Sequence, residues 1–307
     1  MTTIALTGAT GFIGRRILAR LTGRGISVRA LTRRSAPATV SGTTWIRGDL
    51  ATPDALARLV EGSEGVIHCA GAVRGAGPAD FDRVNLDGTR SVLTAAVRAG
   101  VDRFLLISSL AAREPDLSWY AASKHAAEEL LEADAPSAMT HAVVRPPAVY
   151  GPGDREIAPL FGAMRRGWMP MVGAPGGRFS LLFVDDLAEA AAAWVEAAAP
   201  PGGVHELHDG TPGGYDWPGV ARTAEEIWGR RIRIVRVPPV VLDLVARANL
   251  VTSRWSGRAP MLTPPKLREL RHGDWSSRDD ATFRTALEWA PRLRLADALR
   301  AGLVLPS

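Results

Sequence analysis

Short apolar runs alternate with amphipathic stretches through the first half of the chain. The apolar runs have the length of buried strands, and the stretches between them place hydrophobic residues at helical spacing. The predicted strands are residues 3–7, 27–32, 44–47, 65–69 and 103–108. The predicted helices are residues 11–24, 53–60, 81–99 and 118–133. This alternation predicts an α/β fold in which helices cover a parallel sheet.

The same alternation continues once more in the second half of the chain. Two further strands are predicted at 141–144 and 204–207, with an alanine-rich helix over 186–199 between them. The sheet is therefore expected to be doubly wound. Elsewhere Pro, Gly and Trp become frequent, which predicts a smaller substrate-binding lobe. The expected division is a core domain over 1–145 and about 178–209, with the lobe formed by 146–177 and 210–307.

Composition narrows the class of protein. A chain of 307 residues that is 46% hydrophobic can bury a large core. We expect no membrane span, because no apolar run reaches about 18 residues, and no basic leader precedes the first strand. Its single cysteine, Cys69, cannot form an internal disulfide and argues against a structural metal site. These features predict a cytoplasmic protein without a metal.

The positive charge is carried almost entirely by arginine. The net charge is +5, but the arginines are spread along the chain, which favours a solvated basic surface over nucleic-acid binding. Lysine occurs only at Lys124 and Lys266. Because a lysine is a compact point charge that arginine does not replace, its rarity directs attention to Lys124.

A glycine-rich turn, Thr-Gly-Ala-Thr-Gly-Phe-Ile-Gly over residues 7–14, follows the first strand and opens a helix. Gly8 permits the tight turn, Gly11 lets the backbone approach a pyrophosphate, and Gly14 allows the helix to pack closely on the strand. The alternative is a chance loop in a glycine-rich chain. Its position directly after the first strand favours a phosphate-binding turn.

This turn resembles that of the short-chain dehydrogenase/reductase superfamily, and it matches the typical sequence of the extended branch in full. That branch includes nucleotide-sugar epimerases, dehydratases and hydroxysteroid or flavonol-type reductases. The resemblance implies a Rossmann-type NAD(P)-binding domain at residues 1–145, continued by about 178–209. Its expected cofactor contacts in the turn are Gly8, Thr10, Gly11, Phe12, Ile13 and Gly14.

The second strand ends without the carboxylate that would bind the adenosine ribose of NAD. Arg33 and Arg34 stand there instead and are expected to pair with the 2′-phosphate of NADP(H). NADP(H) is therefore the preferred cofactor, and NAD(H) remains the alternative, with both arginines then merely facing solvent. The resemblance also implies cofactor contacts from Asp49, Leu50, Ala70, Gly71 and Pro146, and it gives no catalytic role to the nearby His68.

Tyr120 and Lys124 lie four residues apart on a predicted helix that Ser118 is expected to cap. They follow a strand that ends in a pair of serines. In the family the second serine of this pair is catalytic, which implies Ser109, with Ser108 as the alternative. Lys124 is also expected to bind the nicotinamide ribose, and both Tyr120 and Lys124 contact the cofactor. The alternative is a half-buried tyrosine and a lysine with structural roles only.

The expected proton-transfer group is Tyr120. A free tyrosine titrates near 10, so an adjacent ammonium is expected to lower its pKa toward neutrality. Ser109 would then bind the substrate oxygen while Tyr120 transfers the proton. Asn85 matches the family's asparagine on the preceding helix. The resemblance implies that it holds a water or backbone in this relay, and the alternative is a buried amide that bends the helix.

One segment departs from the usual pattern of the branch. Only ten residues separate Ser109 from Tyr120, which is shorter than the branch usually has and favours a small or apolar carbonyl or alcohol over a nucleotide-sugar.

The carboxyl-terminal region carries several tryptophans, most of them expected in the core. An apolar pocket in this region would suit a steroid-like, aromatic or lipid-derived ketone. Arg254 and Arg258 could equally meet a substrate phosphate. The aspartates at 185 and 186 are expected to cap a helix.

Three functions follow from the resemblance. The first is an NADP(H)-dependent oxidoreductase that reduces a carbonyl or oxidises an alcohol through serine, tyrosine and lysine. The second is a nucleotide-sugar epimerase or dehydratase with a tightly bound cofactor. The third is a non-catalytic NADP(H)-binding subunit or sensor, which the intact set of candidate residues argues against. A homodimer remains open for each.

Overall fold

The computed structural model describes residues 2–34, 40–256, 259–278 and 281–305. Its amino-terminal elements are β1 (Thr3–Thr7), α1 (Phe12–Gly23), β2 (Ser27–Thr32), β3 (Thr43–Arg47), α2 (Pro53–Val60), β4 (Gly65–His68), α3 (Pro78–Asn85), α4 (Asp87–Arg98), β5 (Arg103–Ile107) and α5 (Trp119–Asp134). Two short 3-10 turns, Leu110–Arg113 and Pro115–Leu117, connect β5 to α5.

The remaining elements alternate less regularly. They are β6 (Thr140–Arg145), β7 (Ala148–Tyr150), α6 (Ala158–Arg165), β8 (Trp168–Met171), β9 (Arg178–Phe179), β10 (Leu181–Phe183), α7 (Val184–Glu196), β11 (Gly203–Glu206), β12 (Tyr215–Asp216), α8 (Trp217–Trp228), β13 (Arg233–Arg236), α9 (Pro239–Ser256), α10 (Pro264–Arg271), β14 (Asp274–Trp275), α11 (Ala281–Ala286) and α12 (Leu295–Arg300).

Seven strands form one parallel sheet in the order β11-β6-β5-β4-β1-β2-β3. The chain proceeds outward in one direction from β1 to β3 and in the other from β4 to β11. The carboxyl ends of β1 and β4 therefore meet at the topological switch point, where sheets of this kind bind ligands. This arrangement confirms the predicted Rossmann-type doubly wound fold.

Helices cover both faces of this sheet with separate apolar clusters. On one face, α1 and α7 contribute buried residues such as Leu21 and Trp194. On the other face, α2, α4 and α5 contribute residues such as Leu56 and Leu131. Trp289, from the carboxyl-terminal region, also packs into the first cluster. The sheet is thus buried on both sides, which agrees with the continuous apolar runs of its strands.

A third apolar cluster lies away from the sheet and gathers residues from β7, α6, β8, β10, α8 and α12. A smaller fourth cluster joins α9 to α10 through Leu242, Ala246 and Leu267. Most of the carboxyl-terminal tryptophans are buried or partly buried, as expected, but Trp255 on α9 is 89% exposed. No described helix is long and apolar enough to cross a membrane.

Two local expectations were wrong. The helix predicted over 81–99 is divided at Leu86 into α3 and α4, because the buried side chain of Asn85 is held by groups outside the helix. The aspartates at the start of α7 do not cap it. Asp185 instead forms an ion pair with Arg16, and Asp186 accepts a hydrogen bond from the Leu293 amide.

Candidate active site

The turn between β1 and α1 is built for backbone contact. Gly8 has a φ of +73°, and a Cβ there would lie 2.7 Å from the amide nitrogen of Ala70, in the loop after β4. A Cβ on Gly14 would lie 2.1 Å from the carbonyl oxygen of Gly8. Side chains at these two positions would push apart the turn, the helix and the neighbouring loop. Glycine is therefore required here by packing, as the spacing of the turn predicted.

The amino-terminal end of α1 opens at this turn. Its N-cap residue is Gly11, which offers no side-chain cap, and the first turn carries no acidic residue. The amides of the first helical residues, beginning at Phe12 and Ile13, therefore have no acidic neighbour in that turn to compete with an anion. Together with the glycine cradle, this end of α1 fits the pyrophosphate of a dinucleotide.

The ends of β2 and β3 carry the residues predicted to hold the adenosine half of the cofactor. Arg33 and Arg34 are exposed directly after β2. Asp49, after β3, is exposed and accepts hydrogen bonds from the Ala51 amide and the Thr52 hydroxyl. Leu50 is partly buried against the apolar cluster beneath α4. These residues follow paired strands at the same edge of the sheet, so one ligand can reach both.

Helix α5 presents the predicted tyrosine and lysine on one side. Ser118 caps the helix by accepting a hydrogen bond from the Ala121 amide at 3.0 Å, as predicted. Lys124 is 5% exposed, and its ammonium donates to the carbonyl oxygen of Ile107, at the end of β5, at 2.8 Å. Burial lowers the pKa of Lys124 to about 8. Two of its three N–H donors remain for a ligand.

Asn85 connects α3 to the loop after β4. It accepts from the Ala72 amide at 2.8 Å and donates to the Ala72 carbonyl at 3.1 Å and to the Ser123 hydroxyl at 2.8 Å. A Cβ on Gly71 would lie 3.2 Å from the amide oxygen of Asn85 and 3.4 Å from the Lys124 nitrogen. Asn85 therefore holds the Ala72 backbone in place, and Gly71 leaves room beside the ammonium.

The two serines after β5 have different partners. Ser109 hydrogen-bonds with the side chain of Tyr120 and accepts from the Ala111 amide at 3.2 Å. Ser108 is buried and donates instead to Glu128, which Arg145 holds through Nε at 3.0 and 3.1 Å. Of the two serines, only Ser109 therefore contacts the Tyr120 side chain.

The electrostatic environment of Tyr120 differs from expectation. Burial raises the pKa of Tyr120 to about 12, the hydrogen bond with Ser109 opposes this, and the carboxylates of Glu269 and Glu128 raise it further. The protein groups alone therefore keep Tyr120 protonated at neutral pH. The expectation that these groups lower the pKa of Tyr120 was wrong. The physical reason is that desolvation of the phenolate is the largest contribution.

His68 has a structural role at the end of β4. The Thr7 hydroxyl accepts from the Ala70 amide at 3.1 Å and lies 2.7 Å from Nδ1 of His68. Burial, with a smaller contribution from the charge of Lys124, lowers the pKa of His68 to about 3. The imidazole is therefore neutral and fixes the loop that carries Ala70.

A cleft next to Tyr120 has mostly apolar walls. It is lined by Phe81, whose ring centre lies 6.2 Å from that of Tyr120, and by Trp119 and Met261. Pro146 lies buried below the 3-10 turn that follows Ser109, and its carbonyl accepts from the Leu110 amide at 2.9 Å. The short connection from Ser109 to Tyr120 is thus folded into two 3-10 turns rather than an open loop.

Sequence reasoning missed two charged residues near Tyr120. The Lys266 ammonium lies 5.3 Å from the centre of the Tyr120 ring and forms an ion pair with Glu269. Glu269 also accepts a hydrogen bond from the Ser118 hydroxyl at 2.6 Å. The rarity of lysine was a usable signal, because both lysines of the chain are near Tyr120.

Arg254 and Arg258 were named as possible contacts for a substrate phosphate. Arg258 and the side chain of Arg254 lie outside the part of the chain that the structure describes. A larger cleft of about 420 Å³ lies at the β6–β11 edge, lined in part by His125, Glu129 and Val204. None of the candidate catalytic residues lines it. Within the described ranges, no three His, Cys, Asp or Glu side chains group as metal ligands.

Comparison with known proteins identifies the family of this chain. The family model of the NAD dependent epimerase/dehydratase family matches residues 4–205. The ceramide reductase of Caulobacter vibrioides is 40% identical over 286 residues, which cover 89% of this chain and 85% of that protein. A 4-hydroxy-2-methyl-3-oxo-4-farnesyl-3,4-dihydroquinoline-1-oxide ketoreductase from Stigmatella aurantiaca is 31% identical over 287 residues. The matched region covers 86% of this chain and 84% of that protein.

Solved structures of low identity share the fold. The UDP-glucose 4-epimerase from Bifidobacterium longum, in complex with NAD+ and UDP, superposes with a TM-score of 0.73 and is 20% identical. The superposition covers 98% of this chain and 97% of that chain.

The family model and the ceramide reductase relative show the family. The chain belongs to the NAD-dependent epimerase/dehydratase family and is an NAD(P)-dependent oxidoreductase of the extended short-chain dehydrogenase/reductase type.

Proposed function

We propose that the protein is an NADP(H)-dependent reductase for a ketone on an apolar, lipid-like substrate, with Ser109, Tyr120 and Lys124 as its catalytic residues. The observation that carries this proposal is that Tyr120, with Ser109 beside it, lines a cleft whose walls are mostly apolar. A hydroxyl pair at an apolar cleft is suited to bind a carbonyl oxygen whose substituents are hydrophobic.

In the proposed reaction, bound NADPH supplies a hydride to the carbonyl carbon. Tyr120 donates its hydroxyl proton to the carbonyl oxygen as the C=O double bond is reduced, which gives the alcohol. The raised pKa of Tyr120 suits this direction, because the group is fully protonated at neutral pH. Ser109 donates a hydrogen bond to the same oxygen and orients it toward the tyrosine.

Lys124 has two tasks in this scheme. Its ammonium is anchored on the Ile107 carbonyl and leaves donors for the ribose hydroxyls of the cofactor. Its positive charge also favours the phenolate that Tyr120 becomes after proton transfer. Asn85 is a positioning residue, since it holds the Ala72 backbone beside Lys124 without itself needing to react.

The cofactor preference rests on the exposed arginines after β2. A guanidinium can form paired charge-assisted hydrogen bonds with a phosphate, which the 2′-hydroxyl of NAD does not offer. Arg33 is the proposed main contact and Arg34 the second. The other proposed contacts are Gly8, Thr10, Gly11, Phe12, Ile13, Gly14, Asp49, Leu50, Ala70, Gly71 and Pro146.

The substrate class follows from the cleft and from the relatives. Residues 146–177 and 210–307 are proposed as the substrate lobe, and Met261 from that part lines the cleft together with Phe81 and Trp119. The ceramide reductase relative is named for a long-chain lipid. We therefore expect the ketone form of a ceramide to be a better substrate than a nucleotide-sugar.

The test is NADPH consumption by purified protein with the ketone form of a ceramide in mixed micelles, with UDP-glucose as the comparison. Wild type is expected to reduce the lipid ketone, and Tyr120→Phe should lower turnover by roughly 10²- to 10⁴-fold while still binding NADPH. As a matched control, Tyr215→Phe removes a hydroxyl that is engaged with Asp209, away from the cleft.

Two outcomes would replace this proposal. Conversion of UDP-glucose without net consumption of cofactor, together with NAD(P) that survives purification, would favour the epimerase alternative. NADPH binding without reduction of any carbonyl compound would favour a binding subunit or sensor. Unchanged turnover in Tyr120→Phe would remove this tyrosine from the chemistry.

A further inference from the structure

Helix α9 presents an apolar side to solvent. Many of the most exposed large hydrophobic side chains in the described part of the chain lie on it: Val240, Val241, Leu244, Val245, Val251 and Trp255. We call this set the outer face of α9. Trp255 is 89% exposed, Val240 68% and Leu244 63%. Residues on the water-facing side of a helix are normally polar, so this face is suited to bind a partner.

The opposite side of α9 accounts for its attachment to the protein. Leu242 and Ala246 are buried there against Leu267 of α10. Asp243 pairs with Arg271 of α10 at 3.0 Å. The helix is thus held on α10 by one side only, and its outer face is not needed for that packing.

Arginines are frequent in and directly before α9. Residues 229–256 contain six arginines and one aspartate. Arg230, Arg231, Arg233 and Arg236 are exposed directly before α9, and Arg247 is exposed on it. An apolar face with surrounding cations is complementary to a surface that is apolar below a layer of negative charge.

We propose that α9 and the arginines before it dock the protein on the surface of an anionic lipid bilayer. The helix would lie in the plane of the interface, with its outer face among the acyl chains and the arginines at the phosphates. A spanning arrangement does not fit, because no described helix is apolar enough to cross a bilayer. Trp255 suits this position, since tryptophan favours the interfacial region of membranes.

This surface is connected to the cleft at Tyr120. Helix α10, on which α9 packs, carries Lys266 at that cleft. Pro260 and Met261, in the connection between the two helices, line the cleft as well. Docking through α9 would therefore hold the cleft close to the bilayer. Membrane binding itself does not depend on the proposed reaction, so the two proposals can fail separately.

The experiment is co-sedimentation of the full chain with phosphatidylcholine vesicles that contain or lack phosphatidylglycerol. The wild type is expected to bind the anionic vesicles and to be released by high salt, because phosphate contacts are screened. Leu244→Glu combined with Trp255→Glu, and separately Arg233→Glu combined with Arg236→Glu, should each weaken binding roughly tenfold or more.

Val97→Glu is the matched control, because Val97 is an exposed valine on α4, at 39%, outside this surface. Unchanged NADPH affinity and melting temperature would show that the variants fold. Equal binding of all variants, or no binding of the wild type, would overturn the proposal. A change in oligomeric mass without a change in vesicle binding would also overturn it and would identify the outer face as a contact between two copies.

Discussion

The Lys266 ammonium lies 5.3 Å from the centre of the Tyr120 ring, and the same lysine is paired with Glu269. The two charges act on the tyrosine in opposite directions. Glu269 raises the pKa of Tyr120, because a nearby carboxylate disfavours the phenolate. A cation over the ring favours the phenolate. The opposing effects of Glu269 and Lys266 therefore adjust the pKa of Tyr120.

We predict that the two charges can be separated by mutation. Glu269→Gln should lower the pKa of Tyr120 and move the alkaline limb of the pH–rate profile for ketone reduction to lower pH. Lys266→Met should move that limb to higher pH, since Glu269 then lacks its counter-ion. Each shift should be about one pH unit, because cation–π and local charge effects are worth about 1 to 2 kcal/mol.

The control for this pair is Glu129→Gln, since Glu129 is an exposed carboxylate of α5 that lines a different cleft. The profiles are to be recorded as kcat/KM against pH with one soluble ketone. Shifts in the same direction for both charge variants would contradict the prediction.

A second prediction concerns the stability cost of Lys124. Its pKa is lowered from 10.5 to about 8 by burial, so the unfolded chain binds the proton more tightly than the folded protein does. Below pH 8 the buried ammonium lowers the free energy of unfolding by about 3 kcal/mol. This loss diminishes as the pH rises from 8 toward 10.5. Lys124→Met should therefore raise the free energy of unfolding at pH 7 by about 1 to 3 kcal/mol, after allowing for the lost hydrogen bond to Ile107.

Urea unfolding at several pH values measures this effect. The gap between Lys124→Met and the wild type should narrow from pH 8 to pH 10, while the variant loses turnover at every pH. Lys266→Met serves as the comparison, because its ammonium is paired with Glu269 and should bring no such gain. A variant that is less stable than wild type at pH 7 would contradict the argument.

The third prediction uses two glycines of α1. Gly14→Ala places a Cβ 2.1 Å from the Gly8 carbonyl oxygen, so it must displace the glycine-rich turn. We expect a lower melting temperature and NADPH affinity reduced roughly tenfold or more. Gly23→Ala meets no atom within 4 Å and should stabilise the helix by about 0.5 to 1 kcal/mol. If both variants bind NADPH like wild type, the turn does not hold the pyrophosphate.

The fourth prediction tests the cofactor preference. Arg33→Ser should weaken NADPH binding by roughly 10- to 100-fold, because a charge-assisted hydrogen bond to phosphate is lost, and should leave NADH binding unchanged. Fluorescence titration with each cofactor measures both values. Arg98→Ser, which removes an exposed arginine at the end of α4, is the control. An equal loss for NADPH and NADH would contradict a contact with the 2′-phosphate.

Features contained within one element were predictable from the sequence. The strands of the sheet could be located because buried parallel strands are continuous apolar runs, and Ser118 could be identified as a cap from its position before α5. The glycine turn carries its steric requirement in its own spacing. Local backbone geometry and periodicity depend on neighbouring residues, so the sequence by itself determined the fold class, the steric requirement for glycine in the turn after β1, and the common side of Tyr120 and Lys124 on α5.

Contacts between distant elements were decided by the tertiary structure. The packing of α10 near α5 brings Lys266 and Glu269 to Tyr120, and no periodic pattern links these residues. The raised pKa of Tyr120 and the break at Leu86 also depend on groups from other elements. The same holds for Trp255, which is exposed because α9 is covered on one side only. Burial and electrostatic environment arise from the sum of all neighbours in space, and a linear pattern carries only the neighbours along the chain.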